Sequence, residues 1–495
     1  MSPFVLGIDI GTGSTKAVAV GLSGEPLFVS QNYYPTYCSL PGYNEQDPEE
    51  IWDAFVKCVE EVTCALKQPL AICFSSAMHS LIPVDEEGTP LRKMMTWADA
   101  RSEEIVTETL NKPIAEKLYV KTGTPIHPMS PLFKIIWLRE HEPEIFAKAS
   151  KFISIKEFIW YRLFKQYQID YSIASATGLF DVDNLEWNPE SLDLAGISQD
   201  RLSEPVNTSY NRKSLSISAS AILEISSETS FVIGASDGCL ANLGSFASDP
   251  GTAALTIGTS GAVRVASRNP VRNFRSMLFN YRLDEDIYIS GGAVNNGGNA
   301  LDWFIKNFLN ISKPDYSTFF KDISEIKAGS EGLLFLPYIL GERAPVWDIK
   351  SSACFLGIKS YHNRNHFARA VLEGICFALN DVLNMVEGSS GPIRQLNVSG
   401  GIVLSKTWQH VLADITGKDI CVVQIEDASA VGAAFMAMKS LGFIKDYSSI
   451  NKIRTETIIK PGENREVYQK YFEIYRQLYQ NLKGSMHQLH NLHKN

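Results

Sequence analysis

The chain alternates short apolar runs with amphipathic stretches, a pattern typical of strands alternating with helices. Apolar residues fill 4–8, and small and β-branched residues alternate over 14–20, so two strands joined by a turn are predicted there. The apolar run 70–74 predicts a further, buried strand. Because strands and helices alternate along the chain, the sequence predicts an α/β architecture.

The amphipathic stretches predict helices with clear boundaries. Asp47 suits an N-cap, Pro48 suits the first helical position, and Glu50 could return a hydrogen bond to the cap. A second helix is predicted over 367–386. The inward positions of these two helices are predicted to be Ile51, Phe55, Val59 and Val62, and Val371, Ile375, Leu379 and Val382 or Leu383.

The turn after the first strand predicts a phosphate-binding hairpin. The segment 11–16 is Gly-Thr-Gly-Ser-Thr-Lys and follows Asp9 closely. Glycines let backbone N–H groups approach an anion, hydroxyls add donors, and Asp9 could hold a phosphate-bound metal ion. A strand follows the turn, whereas a Walker loop or a dinucleotide fingerprint opens a helix. An ordinary Gly-rich hairpin is the alternative interpretation.

A second copy of this design occurs about 250 residues later, as a strand over 252–257, the turn 258–260 and another strand. Two related domains, each offering a hydroxyl-rich turn to one polyphosphate, are the layout of duplicated actin-like ATPase (ribonuclease H-like) domains with a nucleotide cleft between them. Thr256 stands where the first copy has Asp9. A metal ion is therefore expected on one side only.

A third strand–turn–helix pattern supplies a candidate catalytic group. The apolar run 231–235 ends in small residues and is followed by Asp237 and a predicted helix. Phosphoryl transfer to an alcohol needs a carboxylate beside the attacking hydroxyl, which orients it and accepts its proton. Asp237 is the candidate base, and a helix N-cap is the alternative interpretation.

Length and composition agree with two domains. The chain has 495 residues, of which 45% are hydrophobic, and its mean hydropathy is −0.06. A division near residues 245–250 predicts an N-terminal domain over 1–246 and a C-terminal domain over 247–485. The net charge of −9 argues against a nucleic-acid or anionic-membrane binder. No run of 18 apolar residues and no signal-peptide pattern occur, so a cytoplasmic location is expected.

Two local expectations concern cysteines and the C-terminus. The eight cysteines stand among apolar neighbours without a Cys-x-x-Cys pair, so reduced and buried side chains are expected. The last ten residues are rich in His and Asn and are expected to fray.

Over nearly its whole length the chain resembles the FGGY carbohydrate kinase family. The matching segments appear in the family's order: 9–16, 78–79, 97–101, the Asp237 segment, 257–260, 341–348 and 400–408. Within the family it is most similar to gluconate kinases, through 75–80, 96–99, 122–131 and 234–238. The resemblance implies ATP-dependent transfer of a phosphoryl group to a terminal hydroxyl of a sugar acid, D-gluconate giving 6-phospho-D-gluconate.

The resemblance also implies roles for individual residues. Asp237 would be the catalytic base and would contact the substrate, and Asp9 with Asp237 would hold Mg²⁺. ATP contacts are implied for Gly11, Thr12, Ser14, Lys16, Gly258, Thr259, Ser260, Gly297, Gly298, Asn299, Gly400, Gly401 and Ser405. Substrate contacts are implied for Met78, His79, Trp97, Asp99 and His127. Candidate partners of the substrate carboxylate are Arg101, His127 and Lys156.

Several alternatives stay open. Lys16 could be a solvated strand residue, His79 could be structural, and Arg101 could brace its loop. Another kinase of the family, for xylulose or another pentulose or polyol, is an alternative to a gluconate kinase. An actin- or Hsp70-like ATP-driven binding protein is the alternative from another class. The expected partner is a small-molecule sugar acid or sugar, neither nucleic acid nor membrane is expected, and a homodimer is left open.

Two residues depart from the family pattern. Leu404 stands where a basic residue is usual, and His410 stands where Gln is usual. Both changes put the nucleotide contacts of that segment in doubt, while Asp9 and Asp237 are unaffected.

Overall fold

The computed structural model describes residues 3–423, 425, 427–449 and 457–493. Its strands are β1 (Phe4–Ile10), β2 (Ser14–Gly21), β3 (Pro26–Tyr33), β4 (Glu45–Gln46), β5 (Ala71–Ser76), β6 (Ile82–Val84), β7 (Met94–Met95), β8 (Lys151–Ile153), β9 (Gln168–Asp170), β10 (Phe180–Asp181), β11 (Glu186–Trp187), β12 (Glu204–Val206), β13 (Asn211–Arg212), β14 (Ser230–Ser236), β15 (Thr252–Ile257), β16 (Gly261–Ser267), β17 (Phe279–Arg282), β18 (Tyr288–Val294), β19 (Leu334–Leu336), β20 (Cys354–Leu356), β21 (Gln395–Gly400), β22 (Asp419–Val422) and β23 (Ile458–Ile459). Its α-helices are α1 (Pro48–Leu66), α2 (Glu103–Leu110), α3 (Ile114–Thr122), α4 (Pro131–His141), α5 (Pro143–Lys148), α6 (Ile155–Phe164), α7 (Tyr171–Ser175), α8 (Pro189–Ala195), α9 (Ile217–Leu223), α10 (Asp237–Gly244), α11 (Gly298–Trp303), α12 (Tyr316–Ser324), α13 (Arg364–Ser390), α14 (Lys406–Thr416), α15 (Ala428–Ser440) and α16 (Arg465–His493).

The first of two units holds the described residues of 3–248, 267–289 and 427–449. Its six-stranded sheet has the order β13-β14-β5-β1-β2-β3. β1 runs antiparallel to β2 and parallel to β5, and β14 runs parallel to β5. The carboxyl ends of β1, β5 and β14 therefore meet at one edge, where parallel sheets commonly bind ligands.

Helix α1 covers one face of this sheet, as its apolar pattern predicted. The four predicted inward positions are all buried in the core of the first unit. Asp47 caps the helix, because its Oδ1 accepts a hydrogen bond from Glu49 N at 3.0 Å. The predicted return bond from Glu50 is wrong: Glu50 Oε1 accepts from Tyr37 Oη at 2.9 Å instead.

Helix α15 also packs into the first unit, although it lies far along the chain. It approaches β1 and α10 at glycines that leave no room for a side chain. A Cβ at Gly7 would lie 1.8 Å from Ala430 O, and one at Gly432 would lie 2.0 Å from Leu240 O. The division into domains over 1–246 and 247–485 stays a prediction.

The second unit holds the described residues of 249–266, 290–425 and 457–493. Its sheet includes strands in the order β16-β15-β21-β22-β23. β15 runs antiparallel to β16 and parallel to β21, which runs parallel to β22. The series β16-β15-β21-β22 therefore repeats β2-β1-β5-β14 in order and direction, which confirms the predicted duplication.

Several local expectations are settled by the described residues. The predicted inward side of α13 is buried at all five positions. The last ten residues are helical as far as His493, and fraying of this end stays a prediction. None of the eight cysteines, all of them in the described residues, forms a disulfide. Cys38 and Cys64 are exposed and Cys354 is partly exposed, so the expectation of burial is wrong for these three. In the described part of the chain, every helix is too short or too polar to cross a membrane.

Candidate active site

The first glycine-rich turn joins β1 to β2 as a tight hairpin. Gly11 N donates to Ser14 O at 3.0 Å, and Asp9 and Lys16 face each other in the strand register. A Cβ at Gly13 would meet no atom within 4 Å. The turn is therefore open at Gly13, which leaves room for an anion beside its backbone N–H groups.

Asp9 lies at the edge of the sheet where the strand ends converge. Its Oδ1 accepts a hydrogen bond from Ser75 Oγ at 2.6 Å, and Ser75 is its register neighbour on β5. Burial, followed by the nearby Asp237 carboxylate, raises the pKa of Asp9 to about 7. Neighbouring carboxylates that oppose each other's ionisation are typical of a functional site, and a cation would relieve their repulsion.

Asp237 stands at the first position of α10, directly after β14. The N-cap of this helix is Ser236, whose Oγ accepts from Cys239 N at 3.4 Å. Asp237 Oδ1 accepts from Gly238 N at 2.6 Å, and the residue is only half-buried. The capping interaction assigned to Asp237 in the alternative interpretation is therefore made by Ser236.

Lys16 forms an ion pair with Asp427, which no sequence pattern indicated. Asp427 precedes α15 and has a left-handed backbone with φ of 63°. The two side chains are 29% and 10% exposed, so the ammonium of Lys16 is partly withdrawn from solvent. Its position opposite Asp9 on the hairpin keeps a positive charge beside the carboxylates.

The predicted sugar segments lie next to the first turn. Trp97 Nε1 donates to Thr12 Oγ1 at 3.0 Å, while the indole remains 39% exposed. His79 follows β5 with a left-handed φ of 65°. Its Nδ1 lies 2.7 Å from Ala176 O and its Nε2 lies 3.1 Å from Tyr281 Oη. The structure thus brings Met78, His79 and Trp97 to the sheet edge that carries Asp9.

Arg101 holds the loop after Trp97 rather than presenting an unpaired cation. Its Nε donates to Asp99 Oδ1 at 2.8 Å, and its Nη2 contacts Glu45 Oε1 at 2.6 Å. Asp99 is 1% exposed, and its Oδ2 accepts from Asn44 N at 2.8 Å. Both oxygens of this predicted substrate contact are therefore already bonded within the protein.

The other two candidate partners of a substrate carboxylate differ from each other. Lys156 is buried and contacts Asp170 Oδ2 at 2.7 Å and Ala235 O at 2.8 Å. His127 is partly exposed, and its Nδ1 accepts from Met129 N at 3.2 Å. Lys156 is therefore already paired with a buried carboxylate, whereas His127 is partly exposed.

The second glycine-rich turn, in the second unit, is packed by backbone. Gly258 N donates to Ser260 O at 2.9 Å, and Gly298 N donates to Gly258 O at 2.7 Å. A Cβ at Gly297 would lie 2.5 Å from Ser260 O. The predicted nucleotide residues Gly258–Ser260 and Gly297–Asn299 are therefore held together by approaches that only glycine permits.

At the base of this turn a neutral pair replaces the Asp9–Ser75 pair. Thr256 Oγ1 lies 3.1 Å from Ser399 Oγ. Gly400 follows with φ of 85°, and a Cβ there would lie 2.3 Å from Ile257 O. The second turn thus has no carboxylate at the position that corresponds to Asp9.

One polar atom near the second turn fits a nucleotide. Among the described residues, Asn299 Oδ1 is buried without a hydrogen-bond partner, although its Nδ2 donates to Asn295 O at 3.1 Å. An orphaned acceptor of this kind suits a ribose hydroxyl or an amino group. Ser405, in contrast, caps α14 by accepting from Trp408 N at 3.1 Å.

The two departures from the family pattern lie at the surface. Leu404 is 80% exposed, and the exposed His410 places its Nδ1 2.7 Å from Lys406 O.

The residues near Asp9 suit Mg²⁺, which needs only one or two protein carboxylates, better than a metal ion whose ligands all come from the protein. In the part of the chain that is described, no group of three or more His, Cys, Asp or Glu side chains is arranged to hold a metal ion. Mg²⁺ prefers oxygen ligands and usually keeps several waters, with one or two carboxylates and substrate phosphates completing its shell. The carboxylates of Asp9 and Asp237 supply that chemistry.

Comparison with known proteins covers both units. The N-terminal and C-terminal domain models of the FGGY family of carbohydrate kinases match residues 4–244 and 253–441. A gluconokinase of Bacillus licheniformis is 37% identical over 99% of this chain and 98% of its own length. A gluconate kinase structure from Lactobacillus acidophilus superimposes with a TM-score of 0.94 at 32% identity, covering 99% of this chain and 100% of the other.

A xylulose kinase structure from Lactobacillus acidophilus is equally similar in sequence, at 32% identity. It superimposes with a TM-score of 0.93 and covers 98% of this chain and 100% of the other. The duplicated sheets, the paired glycine-rich turns and these full-length matches agree. The chain belongs to the FGGY family of carbohydrate kinases, and its two domains have the actin-like ATPase fold.

Proposed function

We propose that this carbohydrate kinase transfers the γ-phosphoryl group of ATP to the terminal hydroxyl of D-gluconate, giving 6-phospho-D-gluconate. The observation that carries the reaction type is the meeting of Asp9, Asp237 and the first turn at one sheet edge, with Trp97 bonded to Thr12. The choice of acceptor rests on the full-length similarity to a gluconokinase.

Asp237 acts as the base in this proposal. Its half-buried carboxylate can accept the proton of the attacking hydroxyl as the new bond to phosphorus forms. Lys16 balances negative charge beside the first turn, and the Thr12 and Ser14 hydroxyls donate to phosphate oxygens. Glycines and hydroxyls of the second turn contact the nucleotide, and Asn299 and Gly400–Gly401 lie beside the adenosine.

When bound, ATP would supply the phosphoryl group, and Mg²⁺ would offset the charge that develops on its oxygens. Asp9 and Asp237 are the residues that would hold the ion. Burial and the neighbouring Asp237 carboxylate raise the pKa of Asp9, and a bound cation would favour its ionised form.

On the acceptor side, Trp97 and Met78 offer apolar surface to the C–H groups of the sugar chain. His79 and His127 are the proposed polar contacts, and the partly exposed His127 is the proposed partner of the carboxylate. Asp99 would act indirectly, because its oxygens already bind Arg101 and Asn44. A cytoplasmic location follows from the proposal, because the enzyme consumes ATP. A homodimer remains a proposal that chromatography with light scattering would test.

A direct experiment tests the proposed reaction. Purified protein is incubated with MgATP and D-gluconate, ADP release is followed, and the product is identified by phosphorus NMR. Formation of 6-phospho-D-gluconate supports the proposal. Turnover of other sugars with no gluconate phosphorylation would contradict the acceptor and leave the kinase assignment intact.

Xylulose is the second candidate acceptor. The specific observation in its favour is the xylulose kinase structure, which matches this chain as closely in sequence as the gluconate kinase structure does. A neutral pentulose would need no cationic contact, so loss of His127 should affect it less than it affects an aldonate.

A further inference from the structure

A buried lysine in the first unit has no role in the reaction proposed above. Lys134 lies on α4, and its side chain is 0% exposed. Burying an ammonium costs several kcal/mol unless hydrogen bonds or an opposite charge compensate. The position therefore requires an explanation beyond packing.

The compensation comes from backbone carbonyls. Lys134 Nζ donates to His79 O at 2.5 Å and to Thr96 O at 2.6 Å. Among the described residues, no carboxylate oxygen forms an ion pair with it, although Asp99 is close enough to attract its charge. Burial lowers the pKa of Lys134 to about 7. The ammonium is held by its hydrogen bonds to two backbone carbonyls rather than by a salt bridge.

The two carbonyls belong to the two proposed sugar segments. One comes from His79, beside Met78, and the other from Thr96, immediately before Trp97. Both segments lie next to a short backbone bridge. In this bridge Leu81 and Met95 exchange N–H···O hydrogen bonds of 3.0 Å. Lys134 therefore joins them just beyond the bridge, where no strand pairing continues.

The Trp97 segment that Lys134 holds also contacts the phosphate turn. Trp97 Nε1 reaches Thr12 Oγ1 at 3.0 Å, so the position of the Trp97 segment is coupled to the first hairpin. His79 has a left-handed backbone, which costs energy for a residue with a side chain unless its surroundings hold it. The bond from Lys134 to the His79 carbonyl helps to hold that conformation.

We propose that Lys134 is a positioning residue for the sugar substrate, which sets the spacing between the Met78–His79 turn and the Trp97 segment. This inference rests on the proposed substrate contacts and goes beyond them. Without the ammonium, two carbonyls would be left in an apolar interior, and the segments would separate or admit water. Acceptor binding should suffer far more than ATP binding, because Lys134 bonds to the sugar segments directly and reaches the phosphate turn only through Trp97.

The test is Lys134→Met, which keeps a side chain of similar length and removes all of its N–H donors. The KM of the best acceptor, found first with the unaltered protein, is expected to rise about 10- to 100-fold, because small displacements of positioning groups have effects of that size. The kcat should fall by less than about 3-fold, and the KM for ATP should stay within about 2-fold.

Lys151→Met is the matched control. Lys151 also donates to two backbone carbonyls, those of Asp200 and Leu202, but no proposed substrate segment is involved. This variant should lose thermal stability without changing either KM. If Lys134→Met does not fold, Lys134→Gln, which keeps an amide donor, should show a smaller rise in acceptor KM.

An unchanged acceptor KM in a folded Lys134 variant would overturn the proposal. Acceptor and ATP KM values that rise together would also overturn it, because they would indicate a general structural role. Absence of gluconate turnover in the unaltered protein would contradict the proposed function alone, since the acceptor KM is measured with whichever sugar is used.

Discussion

At the residue scale the proposed chemistry depends on three side chains: Asp9, Asp237 and Lys16. Their residue types and turn positions were predictable, because a phosphate-binding hairpin and a strand-to-helix turn have recognisable local patterns. The pairing of Lys16 with Asp427 was not predictable, since the two residues are 411 positions apart and Asp427 belongs to no motif. Long-range pairs of this kind follow from the fold and not from local sequence.

Replacing the candidate base tests the role of Asp237. Asp237→Asn is expected to lower kcat by about 10²- to 10⁴-fold, because the amide cannot accept the proton of the attacking hydroxyl. ATP binding, measured by calorimetry, should persist. Near-normal turnover would remove Asp237 from the catalytic role.

Replacing Asp9 tests its proposed role in holding Mg²⁺. Asp9→Asn keeps the size of the side chain and an oxygen that can accept from Ser75. The Mg²⁺ concentration for half-maximal activity is expected to rise about 10- to 100-fold, as for the loss of an outer-shell metal contact. Titration of activity with Mg²⁺ measures the change. Unchanged metal dependence would mean that Asp9 only shapes the hairpin.

Helix positions and faces at the element scale were largely predictable. The apolar faces of α1 and α13 followed from a period of 3.6, and Asp47 and Pro48 marked the start of α1. The partner of Glu50 could not be predicted, because Tyr37 lies in a preceding loop whose path depends on tertiary packing.

The tight packing of the second turn gives a prediction about Gly400. Gly400→Ala should raise the KM for ATP about 10-fold or more, because a Cβ would lie 2.3 Å from Ile257 O at a left-handed φ. Steady-state kinetics with varied ATP measures this. The control is Gly388→Ala in α13, since a Cβ at Gly388 would meet no atom within 4 Å. Equal behaviour of the two variants would refute the packing argument.

The capping box of α6 gives a pH prediction. Glu157 Oε2 accepts from Ser154 N at 2.6 Å, and burial raises the pKa of Glu157 from 4.5 to about 7. The folded protein therefore holds this proton more tightly than the unfolded chain. The stabilising contribution is present below pH 4.5 and is lost as the pH rises through 7.

Glu157→Gln should remove this pH dependence. The melting temperature of the variant should exceed that of the unaltered protein at pH 8 and approach it at pH 5, with a difference of at most about 3 kcal/mol in unfolding free energy. Thermal melts across this pH range measure the effect. Exposed Glu116→Gln is the control, and a parallel pH response of both variants would contradict the assignment.

The duplication was predictable at the scale of the whole molecule. The turns after Asp9 and Thr256 are local sequence echoes, and the strand order around them repeats. The return of α15 to the first unit was not predictable, because its closeness to β1 depends on Gly7 and Gly432, which look like ordinary small residues in sequence. The choice of acceptor was likewise not predictable from one motif, because the proposed acceptor contacts come from several segments.

The most direct test of the central claim is a comparison of kcat/KM for D-gluconate, xylulose, ribulose and glycerol at fixed MgATP. We expect the highest value for gluconate, by about 10²-fold or more, because a site that binds a carboxylate leaves polar groups unpaired with neutral sugars. Activity on xylulose alone, or a higher kcat/KM for xylulose than for gluconate, would refute the assignment of gluconate as the acceptor.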